Sequence, residues 1–116
     1  MKFLNAVIML TCLAYEQVCG NVANVEAKLG QTVQLKFDKF IRNIDIELKY
    51  PENGTVYQKT IIKDGKITKY GVERFGKRII YADGNLIIRD VKENDATSYI
   101  YKLGHYSQKI RLIILS

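Results

Sequence analysis

Apolar and polar residues alternate along most of this chain with a period of two, the spacing of a strand that buries one face. In Ile44-Asp45-Ile46-Glu47-Leu48-Lys49-Tyr50, the residues Ile44, Ile46 and Leu48 fall on one side and Asp45, Glu47 and Lys49 on the other. Thr32-Val33-Gln34-Leu35-Lys36-Phe37 alternates as cleanly, with Val33, Leu35 and Phe37 inward. No stretch of about 15 residues keeps a helical period. Further strands are predicted over 22–26 (an edge strand), 55–62, 67–70, 77–81, 86–91, 98–103 and 107–115.

Turn residues separate these segments. Pro51-Glu52-Asn53-Gly54 and Lys63-Asp64-Gly65-Lys66 carry the Asn-Gly and Asp-Gly pairs of tight hairpins, whose type I′ form needs positive φ at both central residues. Ala82-Asp83-Gly84-Asn85 turns the chain again, a loop is expected at Gly71, and Gly104-His105-Tyr106 caps the last hairpin. The reading is all-β: about nine short strands near ten-residue spacing, in a sandwich or barrel.

Three blocks narrow the fold. Gly30-x-x-Val33-x-Leu35-x-Phe37 comes first, Arg74-Phe75 second, and Leu86-x-Ile88-x-x-Val91-x-x-x-Asp95-x-x-x-Tyr99-x-Tyr101 third. Their order and spacing resemble an immunoglobulin domain of the variable type. The resemblance covers residues 26–115 and implies an immunoglobulin-like β-sandwich. It implies that Phe37 and Tyr101 stand at the two positions of the inter-sheet disulfide, and Leu48 where the core tryptophan usually sits. Arg74 is expected to pair with Asp95, and Tyr99 to form the tyrosine corner. A disulfide closing a loop of roughly 60 residues is worth about 4 kcal/mol, so two buried aromatic rings must stand in for it. The paired loss resembles the membrane-distal domains of lymphocyte adhesion receptors of the signalling lymphocytic activation molecule family. That likeness also rests on Glu73-Arg74-Phe75-Gly76-Lys77-Arg78-Ile79-Ile80-Tyr81 and Gly84-Asn85-Leu86-Ile87-Ile88.

Residues 1–20 form a separate object. Lys2 precedes an apolar run from Phe3 to Ala14, and Val18-Cys19-Gly20 puts small residues before a cleavage point. This is the layout of a secretory signal peptide, and the run is too short for the ~20 residues of a membrane span. Residues 21–116 are then one domain, secreted or displayed at the cell surface by a longer anchored form. Both cysteines, Cys12 and Cys19, lie in the leader, so the mature domain folds without a disulfide. No later run has membrane length.

Charge and site chemistry restrict the function. Lys and Arg total 18 against 12 Asp and Glu, a net charge of +6, but the basic residues are dispersed. An anionic glycan is a possible partner. No stripe of exposed aromatics among basic residues points to nucleic acid. His105 is the only histidine, so neither a catalytic triad nor a metal centre is indicated, and no cofactor or enzymatic activity is expected. The resemblance implies recognition through the flat face of strands G, F, C and C′. Alternation assigns to that face Asp45, Glu47 and Lys49 on C, Tyr57 on C′, Ile100 and Lys102 on F, and Lys109 and Arg111 on G, bordered by His105-Tyr106. The expected partner is a protein, an immunoglobulin-like surface receptor met in cell adhesion or immune recognition. The alternatives are a basic glycan-binding module and a self-associating domain that forms homodimers. Asn53-Gly54-Thr55 is an N-glycosylation sequon on an exposed turn.

Overall fold

The computed structural model describes residues 22–115, so the expected leader lies outside the described residues. Nine strands follow one another: β1 (Val22–Lys28), β2 (Val33–Lys36), β3 (Ile44–Lys49), β4 (Val56–Lys63), β5 (Lys66–Ile67), β6 (Ile79–Ala82), β7 (Asn85–Ile88), β8 (Ser98–Leu103) and β9 (Tyr106–Leu115). They form a six-stranded sheet, ordered β1-β9-β8-β3-β4-β5, and a three-stranded sheet, ordered β2-β7-β6. Neighbours are antiparallel except β1, which runs parallel to β9. The extra strands β4 and β5 extend the larger sheet beyond β3, as in a variable-type sandwich. Among the described residues, no helix is long and apolar enough to cross a membrane.

Turn chemistry sets the hairpins. Asp64 and Gly65 have φ of 53° and 80°, and Asp83 and Gly84 have 52° and 78°, the type I′ pattern. At Gly84 a Cβ would stand 2.6 Å from the carbonyl of Asp38, so only glycine fits. The Asn53-Gly54 turn departs from expectation. Only Gly54 is in the left-handed region (φ 73°), and the loop closes through Gly54 N–H to the Tyr50 carbonyl at 2.9 Å. Pro51 and Glu52 lengthen the connection beyond the two residues a type I′ turn allows.

The inward positions of both sheets make one core. Leu35, Ile44, Ile46, Leu86, Ile88, Tyr99 and Leu112 are all buried. Phe37 and Tyr101 meet in it, ring centroids 5.0 Å apart and planes at 89°, an edge-to-face contact between the two sheets. Tyr81 closes on Phe37 from the other side at 6.5 Å, and its hydroxyl donates to the Ile41 carbonyl. Leu48 packs at the edge of this core without being fully enclosed. Burial raises the pKa of the Tyr101 and Tyr81 phenols, so both stay protonated.

A polar knot secures the turn between β7 and β8. The Tyr99 hydroxyl donates to the Asp95 carbonyl at 2.8 Å, and burial holds this phenol far above its ordinary pKa. Asp95 is 0% exposed. Its carboxylate accepts from the Lys92 N–H at 2.9 Å and from two guanidinium nitrogens at 2.7 and 3.1 Å. Those nitrogens belong to Arg78, not to Arg74 as expected. Arg74 donates instead to the Asn94 carbonyl at 2.5 Å. Both arginines lie over the Phe75 ring, at 5.6 and 5.7 Å, but Arg78 sits immediately before β6, where its backbone also accepts the Arg89 N–H at 2.8 Å. Its hydrogen bonds to Asp95 raise the Arg78 pKa further, keeping it charged.

A second correction concerns residues 67–78. Strand β5 ends at Ile67, and a short helix α1 (Lys69–Phe75) and a 3₁₀ turn (Gly76–Arg78) replace the expected strand, loop and strand start. Thr68 caps α1, its Oγ1 accepting from Gly71 N–H at 3.0 Å and donating to the Thr60 carbonyl at 2.8 Å. Gly71 faces β4 so closely that a Cβ would meet the Ile61 carbonyl at 2.9 Å.

Two stability outcomes follow from this packing. Phe37→Ala is expected to lower the free energy of unfolding by about 3–5 kcal/mol in a urea titration. Arg78→Ala is expected to cost about 3–5 kcal/mol by leaving Asp95 buried and uncompensated, and Arg74→Ala only about 1–2 kcal/mol. Equal losses for the two arginines would contradict the pairing.

Candidate functional site

One face of the six-stranded sheet packs on the three-stranded sheet; its other face meets solvent. Strand parity decides which side chains lie there. From β3 come Asp45, Glu47 and Lys49, opposite in direction to the buried Ile44 and Ile46. From β8 come Ile100 and Lys102, and from β9 Lys109 and Arg111. Seven of the eight residues assigned to the face therefore share it. Lys49, Lys102 and Arg111 are exposed, while Asp45, Glu47 and Lys109 are half-buried.

Pairing puts Lys109 beside Ile100 and Ile100 beside Asp45, one row across β9, β8 and β3. Arg111 pairs with Ser98, and the same register continued places Ser98 beside Glu47. The Lys109 ammonium reaches across β8 to within 3.8 Å of the Glu47 carboxylate. Beneath that span, Ile100 is only 6% exposed and Ser98 5%. Ile100 thus belongs to the face as an apolar floor, shut off from a partner by the charged side chains above it. Next to Ser98, the Thr97 hydroxyl donates to the Glu47 carbonyl and fixes β8 against β3.

Tyr57 does not join the others. It pairs with Leu48 and so points to the inner side, where its ring stacks on Tyr50 at 4.3 Å and 25°. The reason is a β-bulge. Register shifts between Ile44 and Asp45, leaving Ile61 as the extra residue of β4, and the parity of 56–60 is reversed relative to Ile62. The same reversal brings Val56, Gln58 and Thr60 onto the outer face, opposite Lys49, Glu47 and Asp45. Sequence alternation missed these three. The consecutive buried pair Ile61-Ile62 is the signal that marks the bulge. At the far tip, Gly104 alone has positive φ (61°), and His105 and Tyr106 are exposed beyond the end of the sheet.

No family model matches this chain, and no curated protein does. A solved structure does: the solution structure of the first Ig-like domain of human CD48 antigen. The two superpose with a TM-score of 0.52 over 86% of this chain and 87% of that one, at 18% sequence identity. The chain has an immunoglobulin-like fold. Its larger sheet, with β9, β8, β3 and β4 side by side, supplies the G, F, C and C′ strands of such a sandwich. The variable-type topology and the absence of an inter-sheet disulfide both hold in this molecule, where Phe37 and Tyr101 face each other.

The floor and the rim of the face are expected to respond differently to truncation. Ile100→Ala should reduce stability by about 2–5 kcal/mol, as for a core residue. Lys102→Ala should change it by less than about 0.5 kcal/mol. Chemical denaturation of the two variants measures both, and a neutral Ile100→Ala would contradict the covered position of that side chain.

Proposed function

We propose that this chain is an immunoglobulin-type recognition domain working outside the cell, which binds a protein partner through the outer face of β9, β8, β3 and β4. The partner proposed is another immunoglobulin-like surface receptor, in adhesion or immune recognition. The observation that carries this reading is the make-up of that face. Lys49, Lys102 and Arg111 are exposed on strands held rigidly by the core, and Asp45 and Glu47 lie among them. Charges of both signs on a flat, fixed surface favour selective pairing with a complementary protein surface, and they speed encounter more than they add affinity. A one-signed polyanion such as a sulfated glycan would meet Asp45 and Glu47 as repulsive groups, which makes the glycan reading the weaker one. The extracellular setting rests on the leader-like residues 1–20.

Charge reversal tests the face. Glu47→Lys and Lys102→Glu, each checked for an intact fold by circular dichroism, are expected to weaken binding to a panel of immunoglobulin-like receptors by roughly tenfold, chiefly through the association rate. Wild-type affinity in both variants would reject this surface. Sedimentation over a concentration range reads a second copy of the chain as the partner instead.

A further inference from the structure

The turn between β3 and β4 holds two features that the packing of the sandwich leaves unused. The first is the sequon Asn53-Gly54-Thr55, fully on the surface. The Asn53 Oδ1 accepts the Thr55 N–H at 2.9 Å, which fixes the carboxamide, while its nitrogen makes no hydrogen bond among the described residues. The second is an aromatic pair at the mouth of the same loop. Tyr50 and Thr55 close that mouth through a 2.9 Å bond from the Tyr50 N–H to the Thr55 carbonyl. Tyr50 stacks on Tyr57 and is 46% exposed. Phe37 belongs to the core and Tyr81 and Tyr101 pack against it, whereas neither the exposed Tyr50 nor the half-buried Tyr57 does, so the core does not account for their stack.

We propose that Asn53 carries an N-linked glycan and that its first sugar packs on the Tyr50–Tyr57 stack, so that the glycan stabilises the β3–β4 hairpin. The donor is a lipid-pyrophosphate-linked oligosaccharide. The Asn53 Nδ2 forms a bond to the anomeric carbon and loses one proton to a base of the transferase. The bond from that carbon to the pyrophosphate oxygen breaks, and the lipid pyrophosphate leaves with the electron pair. Loop closure keeps Asn53 three residues from Tyr50 within one tight turn. An acetamido-pyranose attached there has an apolar C–H face of about the size of a phenol ring, and covering exposed aromatic surface is favourable. The glycan would sit at the β3–β4 end of the sandwich, on the side of the sheet opposite the exposed Val56.

This inference rests on the extracellular part of the proposed function, and the test separates the two. The full chain is expressed in cultured eukaryotic cells and recovered from the medium and from the lysate. The expected result is a secreted product whose mass falls by one glycan on treatment with peptide-N-glycosidase and which is already low in Thr55→Ala. A secreted but unmodified product overturns the glycosylation site alone. A chain confined unmodified to the cytosol overturns the extracellular reading as well. For the sugar contact, melting temperatures are compared with and without glycan in the wild type and in Tyr50→Ala. Removing the glycan is expected to lower Tm by about 4 °C or more in the wild type and by much less in Tyr50→Ala. An equal drop in both, or none in either, overturns the contact.

Discussion

The meeting of Phe37 and Tyr101 between the two sheets is the interaction on which the rest depends. Two sheets of a sandwich have no hydrogen bonds to one another; only side chains hold them in register. In the usual arrangement a covalent link at this place also limits the unfolded chain, worth about 4 kcal/mol for a loop of this size. An edge-to-face aromatic pair contributes about 0.5–1.5 kcal/mol beyond the area it buries. The contact is therefore enlarged: Tyr81 adds a third ring, and its hydroxyl ties the sheet to the Ile41 carbonyl. Stabilisation that a crosslink draws from the denatured state here comes from the native state, through dense contact at the centre.

The second anchor is polar and lies at the end of the sandwich. Asp95 is a buried charge, and it is tolerable because the Arg78 guanidinium and the Lys92 N–H donate to its carboxylate, while the Tyr99 hydroxyl holds its backbone carbonyl. Arg78 leaves the start of β6 to reach it, so one guanidinium links the smaller sheet to the turn that feeds β8. Strand β8 lies in the middle of the outer face of the larger sheet. The position of Ile100 and Lys102 is thus set by contacts on the opposite side of the sheet, which is how a charged surface stays flat without a covering layer.

Much of this was legible from the pattern of residues. Strict alternation at 32–37 and 44–50 places β2 and β3, and the Asp-Gly pairs place two hairpins, because period and turn chemistry are local properties. The pairing of Phe37 with Tyr101 was legible only through the family pattern, since nothing local links residues so far apart in sequence. Three expectations failed, each for its own physical reason. The helix at 69–75 is seven residues long, too short for periodicity to show, although Thr68 before it and Gly76 after it are its cap signals. The bulge at Ile61 reverses strand parity, and so it sent Tyr57 to the wrong side and hid Gln58 and Thr60. Arg74 and Arg78 are one helical turn apart over the same ring, and only the three-dimensional path of the chain distinguishes which one reaches Asp95.

Both thiols of the chain, Cys12 and Cys19, precede the sandwich. Nothing in residues 22–115 can be oxidised to a crosslink or reduced from one. The folded domain is indifferent to the redox poise around it: glutathione or thioredoxin has no bond to attack, and assembly awaits no oxidase or isomerase. Its rate of maturation is that of a β-sandwich closing its long-range contacts, free of the thiol exchange that paces its disulfide-bonded counterparts.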